Sequence, residues 1–461
     1  MDREIRDPIH GFIKRSSDEE KLIDTRAMQR LRGIKQLALA NLVYPGALHT
    51  RFDHSIGVMH ITGRIIGQLK TKLDDKDKND TLRLAALLHD VGHGPFSHVS
   101  EDVLDHYSKT KLSGKVLEKT HEAITCKIIE KDKEISKLIS EIHREEIINL
   151  IKGERCDYIR KNIISGPLDA DKQDYLLRDS YYCGVKYGIF DIDRLISMFT
   201  IIEDAYHPAL GILSEGIYAL EQYVIAKYHM TTQVYRHKTR LVTDSMIVRA
   251  IRLGVDQDKI DFLEKLYIYD GSEAFIENYL KWDDYRLINA LVHIEGNYIS
   301  KTIFQNLIQR ILHKRIFTIE GVNLDPMVMH TLHENRKNDD FTKIVEENLS
   351  DLISREFNEE IRRELVILNV FSLKSIVEQA NDDESEILIE KPFENPSSFI
   401  NSSELFKYIN ESRSQQFVEV YAPVKYNDDD KRKRINSLHE KIKQSIVDSV
   451  NNYNNNRRIK I

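Results

Sequence analysis

The stretch Thr81 to Val91 is apolar nearly all round, yet it ends on the pair His89-Asp90. A helix without a polar face belongs in the middle of a core. One that delivers an imidazole and a carboxylate at its C-terminal end must place two titratable groups inside, and such groups need partners. The chain is thereby constrained to a helical core built around a polar centre. Gly92-His-Gly-Pro95 then turns sharply into a further helix containing His98.

Two stretches are dense in imidazole, His49-Thr-Arg-Phe-Asp-His54 and Leu87 to His98. A third, Asp169-Ala-Asp-Lys-Gln-Asp-Tyr175, supplies a late carboxylate. Histidine, then His-Asp, then Asp is a set of hard and borderline ligands, suited to a divalent metal that activates water beside phosphate oxygens. Singly, each residue has an ordinary explanation: His89 as a buried imidazole capping a helix, Asp171 as a solvated carboxylate. Together they do not. Core packing has no need of His49, His54, His60, His89, His93, His98 and His121 within one subdomain. Catalysis at phosphorus needs metal ligands, a proton donor and charge neutralisation.

The rest of the chain frames this centre. Its 461 residues suffice for two or three domains with real cores. Hydrophobic residues make up 41% and charged residues 31%, as in soluble globular proteins. The formal charge, 67 − 74 = −7, argues against general affinity for nucleic acid. Cys126, Cys156 and Cys183 are far apart with no CxxC, which excludes a disulfide framework and a thiolate zinc site and fits a reducing cytosol. No apolar run approaches membrane-spanning length and the N-terminus lacks a signal-peptide core, so a cytoplasmic protein is expected.

Hydrophobic spacing predicts helices over Thr25 to Asn41, Phe52 to Leu69, Thr81 to Val91, Thr120 to Glu130, Ala170 to Tyr182 and Glu215 to Leu253. Asp171, Tyr175 and Asp179 recur every four residues and share one helix face, flanked by Lys172 and Arg178. From about residue 320 the character changes. Leu365 to Phe371, Glu386 to Glu390 and Phe417 to Tyr421 read as strands, Asp382 to Ser385 and Asp428 to Arg434 as charged loops, and Asn451 to Ile461 as a frayed tail. No internal repeat is evident.

The order H…HD…D, with Arg51-Phe-Asp-His-Ser-Ile-Gly-Val58 and His89-Asp-Val-Gly-His-Gly-Pro-Phe-Ser-His98, resembles the HD-domain phosphohydrolases. Within them the chain is most similar to the deoxynucleoside triphosphate triphosphohydrolases of the SAM-and-HD-domain type and to dGTPase-like bacterial enzymes. The likeness runs from Asp7-Pro-Ile-His-Gly11 to His237-Lys238, and no SAM domain precedes it. It implies a helical HD core; with the patterning along the chain, a mainly α fold is expected, an HD core over residues 1–320 with metal motifs in 49–180 and a helical extension, then a smaller α+β region over 321–461. It also implies hydrolysis of a dNTP to a deoxynucleoside and inorganic triphosphate.

By the same likeness, His54, His89, Asp90 and Asp171 are the ligands of a divalent ion (Mg, Mn, Fe or Zn). Arg51 neutralises the α-phosphate, His98 is the general acid at the departing 5′-oxygen, and His93 and His121 line the phosphate site. The family places an aspartate three residues after the His98 position, whereas this chain has Glu101, a carboxylate one methylene longer. Lys172 and Tyr175 match phosphate contacts, and Asp179 and Tyr235 match the pair that holds the ribose 3′-hydroxyl. Gln36 and Leu37 match the residues that hold the sugar and crowd out a 2′-hydroxyl. Asp24, Gln29 and Arg32 resemble a guanine-reading allosteric segment, which implies a GTP or dGTP activator and a homo-oligomer, a tetramer or similar. No membrane or nucleic-acid partner is implied.

Read from the residues alone, two alternatives stay open. One is another phosphohydrolase on the same fold, a nucleotidase or cyclic-nucleotide phosphodiesterase. The other is a nucleotide-sensing or nucleic-acid-binding module, supported by the basic run Lys431 to Arg434 and by Arg457-Arg458 but opposed by Asp428-Asp-Asp430 and an intact ligand set.

Overall fold

The computed structural model describes residues 3–111, 120–203, 208–380, 386–407, 414–425 and 429–459. Helices dominate, with three small sheets. The chain divides into two compact units that interleave along the sequence. Residues 1–236, 260–290 and 376–412 make the first, and residues 237–259, 291–375 and 413–461 the second. Among the described residues no helix is long and apolar enough to cross a membrane.

In the first unit the helix Arg51–Gln68 packs against Lys76–Leu88 on one side and Ala170–Cys183 on another. Ile56, Met59 and Ile65 of the first helix and Leu82, Ala85 and Leu88 of the second are buried. Thr50 caps the first helix in a reciprocal box with Asp53, whose Oδ2 accepts the Thr50 N–H at 2.9 Å. The second helix begins at Lys76, earlier than the apolar run suggests, because Asp75 caps it by accepting the Lys78 N–H at 3.2 Å. It ends at Leu88, with His89 as its C-cap. The next helix starts on His98 itself. A hairpin of β1 (Arg3–Asp7) and β2 (Gly11–Arg15) turns at Asp7-Pro-Ile-His10, where Asp7 Oδ1 accepts the N–H groups of Ile9 at 2.8 Å and His10 at 2.9 Å. A second sheet has the order β3 (Phe199–Ile202), β4 (Ala209–Leu213), β7 (Leu388–Glu390), β8 (Ser397–Ser398).

Two expected helices are interrupted. Thr25 to Asn41 is not continuous: a short helix Arg26–Arg30 runs into a 3₁₀ turn, Leu31–Gly33, and the chain then extends. Tertiary pairing overrides the local periodicity there. Lys35 bridges Thr50, the Gln36 N–H donates to the His49 carbonyl at 3.1 Å, and the Arg51 N–H donates to the Ile34 carbonyl at 2.9 Å. Glu215 to Leu253 is likewise split into Ile217–His229, a π-helical turn Met230–Tyr235, and a new helix from Lys238. Thr231 and Thr232 donate their hydroxyls to the carbonyls of Lys227 (2.8 Å) and Tyr228 (3.0 Å), competing with the regular helical bonds.

The second unit is a sheet of β5 (Lys314–Glu320), β9 (Gln415–Ala422) and β6 (Ile367–Leu373), all antiparallel. Its apolar face meets helices Asp339–Phe357 and Asp429–Ile459, which pack together through Phe341, Val345, Leu349, Leu438, Ile442 and Ile446. The helix Asp429–Ile459 corrects two expectations. The stretch from Asp429 to Arg434, expected as part of a charged loop, is its opening. The Asn-rich tail is helical through Ile459 because partners hold it: Tyr453 packs on Phe341 with ring centroids 4.8 Å apart, and Asn454 Nδ2 donates to Thr331 Oγ1 at 3.1 Å. The expected loop Asp382 to Ser385 lies outside the described residues, as do the side chains of Arg457 and Arg458.

Ile442 is fully buried in this core. Ile442→Ala is expected to destabilise the second unit by about 2–5 kcal/mol, the usual range for such a truncation. Denaturant melts followed by a probe in that unit should show an earlier midpoint, and an unchanged midpoint would contradict the packing.

Candidate active site

Three helical segments of the first unit bring their polar ends together. His54 comes from the first turn of Arg51–Gln68, His89 and Asp90 from the end of Lys76–Leu88, and Asp171 from the first turn of Ala170–Cys183. His54 Nε2 lies 2.9 Å from Asp171 Oδ1 and 3.5 Å from Asp90 Oδ2. His89 Nε2 lies 3.2 Å from Asp90 Oδ1 and 3.8 Å from Asp171 Oδ1. Both Nε2 atoms are buried without a partner in hydrogen-bonding geometry among the described residues. Lone pairs and carboxylates aimed at one point, close but misaligned for hydrogen bonds, fit a divalent cation with nitrogen and oxygen ligands.

The other ring nitrogens are committed. His54 Nδ1 donates to Asp174 Oδ2 at 2.8 Å, and His89 Nδ1 donates to the Ala86 carbonyl at 2.8 Å. Each bond fixes the tautomer that leaves Nε2 free to ligate. Asp174 is held in turn by Arg178, whose Nε and Nη2 donate to it at 2.8 and 2.9 Å, and by His10 Nε2 at 2.6 Å. Arg178 Nη1 donates to Asp7 Oδ2 at 2.8 Å. Gly57 makes room: a Cβ there would lie 1.9 Å from Asp174 Oδ1. Burial alone would depress the His54 pKa, but Asp171 and Asp174 raise it to about 10. Partial burial works to raise the Asp171 pKa, but His54 and His89 hold it below the ordinary carboxylate range.

A second cluster adjoins the first. Glu101 Oε1 lies 2.9 Å from His93 Nδ1, 3.1 Å from His98 Nδ1 and 3.2 Å from His121 Nδ1. His93 bridges the clusters, with Nε2 3.2 Å from Asp90 Oδ1. Burial and the Arg51 charge press the His93 pKa down, but Asp90 and Glu101 carry it above its ordinary value. His121, stacked on His93 at 4.6 Å, is driven down to about 3 by burial and by that neighbour. Glu101, although buried, is kept well below the usual carboxylate range by His98 and His93. His98 is the open member, with its side chain 61% exposed. Arg51 is buried; Nη1 pairs with Asp90 and Nε donates to Ser97 Oγ at 2.9 Å, while Nη2 has no partner among the described residues.

Of the residues matched to sugar and phosphate contacts, Asp179 and Tyr235 are joined directly, the tyrosine hydroxyl donating at 2.7 Å. The π-helical turn ends on this tyrosine. Tyr175 lies beside it, ring centroids 6.2 Å apart. Gln36 and Leu37 are both buried, and Gln36 Oε1 has no partner among the described residues. Lys172 is engaged elsewhere: its Nζ donates to Asp169 Oδ2 at 2.7 Å and to the Gly166 carbonyl at 3.0 Å. At the third group, Arg32 Nε donates to Gln29 Oε1 at 2.9 Å and stacks over Phe52 at 3.5 Å, while Asp24 is exposed at the end of helix Ser17–Ile23.

Several participants lie outside the sequence-predicted site residues. Asp174 and Arg178, four residues apart on a helix, carried a signal that could have been used. Asp7 and His10 carried none, since only the fold brings them to that helix. His49, one of the clustered imidazoles, donates from Nε2 to Asp179 Oδ1 at 2.7 Å and stacks its ring on Tyr182.

Two outcomes are expected. Asp174→Asn should weaken divalent-metal retention by about 10–100-fold without removing a ligand, because the tautomer and aim of His54 depend on that carboxylate. Gly57→Ala, which pushes the same carboxylate aside, should act in the same direction. Metal content after dialysis measures both, and full retention in both would contradict the assignment. Ligation also requires neutral His54 Nε2, so an ion entering at pH 7 should displace about one proton, and affinity should rise with pH across the neutral range. Calorimetry in two buffers of different ionisation enthalpy reads the proton release; a pH-independent affinity would contradict it.

An HD domain model matches residues 51–183, and an HD-associated region model matches residues 190–447. An uncharacterized protein of Methanocaldococcus jannaschii is 34% identical over 323 residues, which are 70% of this chain and 61% of that protein. The deoxynucleoside triphosphate triphosphohydrolase SAMHD1 homolog of Dictyostelium discoideum is 34% identical over 260 residues, covering 53% of this chain and 48% of that enzyme. The crystal structure of a phosphohydrolase from Bacteroides thetaiotaomicron superposes with a TM-score of 0.71 at 25% identity, over 92% of this chain and 100% of that one. An HD domain followed by an HD-associated region over more than half the sequence places the chain in the HD-domain family.

Proposed function

We propose that the chain is a metal-dependent hydrolase of deoxynucleoside triphosphates that releases a deoxynucleoside and inorganic triphosphate. One observation carries the reading. Helix Ala170–Cys183 presents Asp171 in the ligand set, Tyr175 beside it, and Asp179 bonded to Tyr235 two turns on. Metal, phosphate and sugar contacts then follow one another along one helix face. The similarity to the Dictyostelium deoxynucleoside triphosphate triphosphohydrolase supports the same substrate class.

His54, His89, Asp90 and Asp171 would hold the ion. A divalent cation there would supply Lewis acidity to a phosphoryl oxygen and acidify water. Water attacks the α-phosphorus in line, a P–O bond forms, and the bond from phosphorus to the 5′-oxygen breaks. The Nη2 of Arg51, buried and without a partner among the described residues, would donate to an α-phosphate oxygen and offset its charge. Glu101 Oε1 accepts a hydrogen bond from His98 Nδ1–H, so that the protonated ring presents Nε2–H toward the 5′-oxygen. His93 and His121 line the phosphate side. The Asp179–Tyr235 pair is suited to a 3′-hydroxyl, and Leu37, an apolar neighbour of Gln36, offers no partner to a 2′-hydroxyl. Lys172 would have to leave Asp169 to reach a phosphate. Asp24, with the joined pair Gln29 and Arg32, forms the surface for a guanine-nucleotide activator, and the assembly is a homo-oligomer.

Each dNTP should be incubated with Mn²⁺ or Mg²⁺, with and without GTP, and the phosphate product identified. Inorganic triphosphate is expected, with dGTP preferred to GTP as substrate. His98→Ala should keep its metal and lose on the order of 10²–10⁴-fold in kcat, the usual range for a general acid. Orthophosphate or pyrophosphate as the product would point to another phosphohydrolase class, and loss of metal in step with rate would make His98 a ligand instead.

A further inference from the structure

The loop from Val91 to Ser97 joins the ligand pair to His98, and residues far along the chain hold it. Arg30 is buried and donates to the carbonyls of Val91 at 3.3 Å, His93 at 2.7 Å and Trp282 at 2.8 Å. The Tyr279 hydroxyl donates to the Gly92 carbonyl at 2.9 Å. Asp284, only 1% exposed, accepts the Phe96 N–H on Oδ1 at 2.7 Å and the Lys35 N–H on Oδ2 at 3.0 Å.

The two amides belong to different parts of the site. Lys35 precedes Gln36 and Leu37, and Phe96 lies two residues before His98. Phe96 and Ser97 have φ values of +64° and +53°, a left-handed conformation that side chains disfavour and that persists only under outside restraint. The Ser97 hydroxyl adds a second tie, donating to the Lys35 carbonyl at 2.8 Å while accepting from Arg51 Nε. A buried carboxylate is a poor choice for cohesion alone. Burial lifts the Asp284 carboxyl to about 6, although both amides act to lower it.

We propose that Asp284 is a positioning residue for the hydrolytic reaction, locking the loop that ends on His98 to the loop that carries Gln36 and Leu37. The proton donor and the sugar contacts are thereby kept in one register. The proposal rests on the functional reading above. Asp284 touches neither the ligand set nor His98, so its effect passes through the backbone of the two loops.

Asp284→Asn keeps the shape but leaves one acceptor oxygen for two amides. Its kcat with a dNTP should fall on the order of 10- to 100-fold, the scale of a small misplacement, and KM should rise. Metal content and melting temperature should stay near wild type. In a His98→Ala background the same change should cost kcat less than about threefold, because the donor it positions is gone, while the KM rise persists. Additive losses in kcat, or wild-type constants for Asp284→Asn, would overturn the proposal. If Asp284→Asn does not fold, Ser97→Ala cuts the other tie and should show the same non-additivity with His98→Ala; additivity there overturns it. A wild-type enzyme that releases no triphosphate from any dNTP would sink the functional reading. The bracket is then judged from a crystal structure of Asp284→Asn: Phe96 and Ser97 relaxing from left-handed φ supports it, and an unmoved loop overturns it.

Discussion

Asp174 is fully buried, and three donors converge on its two oxygens: Arg178, His10 and His54. Much of the first unit depends on that carboxylate. It orients His54 of the candidate metal set, and through Arg178 and His10 it ties the hairpin turn Asp7 to His10 against the helix Ala170–Cys183. It also requires Gly57 on the helix between them, since any side chain there meets the carboxylate. Removing one partner from a buried ionic network of this kind costs about 3–5 kcal/mol, because the remaining charges stay inside without compensation. The cluster is thus a specification of geometry more than a source of stability.

Around that anchor the site separates acid from base by environment. Asp90 is shared by Arg51, His89 and His93 and stays ionised in spite of its burial. Glu101 gathers three imidazoles on one oxygen. Among histidines a few residues apart in space, His54 is raised to about 10 while His121 is driven down to about 3. Pairs of titratable groups pushed apart in this way mark places where protons are managed rather than merely buried. His98 is the exposed member of that cluster.

Strain and its restraint form the third element. The tight turn after the ligand pair brings His98 to the rim only by passing through two left-handed residues, Phe96 and Ser97. The hydrogen bonds that hold the turn come from residues 187 and 188 positions away, Tyr279 and Asp284, both inside the HD-associated match. The associated region is therefore more than an appendix to the HD helices, since Tyr279 and Asp284 from it hold a turn of the same unit.

What the sequence by itself determined was the helical character, the ligand types and their order along the chain. The all-apolar run before His89, the four-residue spacing of Asp171, Tyr175 and Asp179, and the histidine density all follow from local periodicity and composition. What local patterning could not carry was decided by long-range partners. Thr25 to Asn41 has helical spacing but is broken because Lys35 and Gln36 pair with Thr50 and His49. The helix after Glu215 is reshaped where threonine hydroxyls compete for backbone carbonyls, and Tyr235 reaches Asp179 from that reshaped turn. The Asn-rich tail has the composition of a frayed end and is helical because Phe341 and Thr331 receive it. Asp174 and Arg178 share a helix face by their four-residue spacing, but no spacing rule connects them to Asp7 and His10, and only the tertiary fold makes the four one network. Periodicity reports which face a residue occupies; what lies opposite that face belongs to the tertiary structure alone.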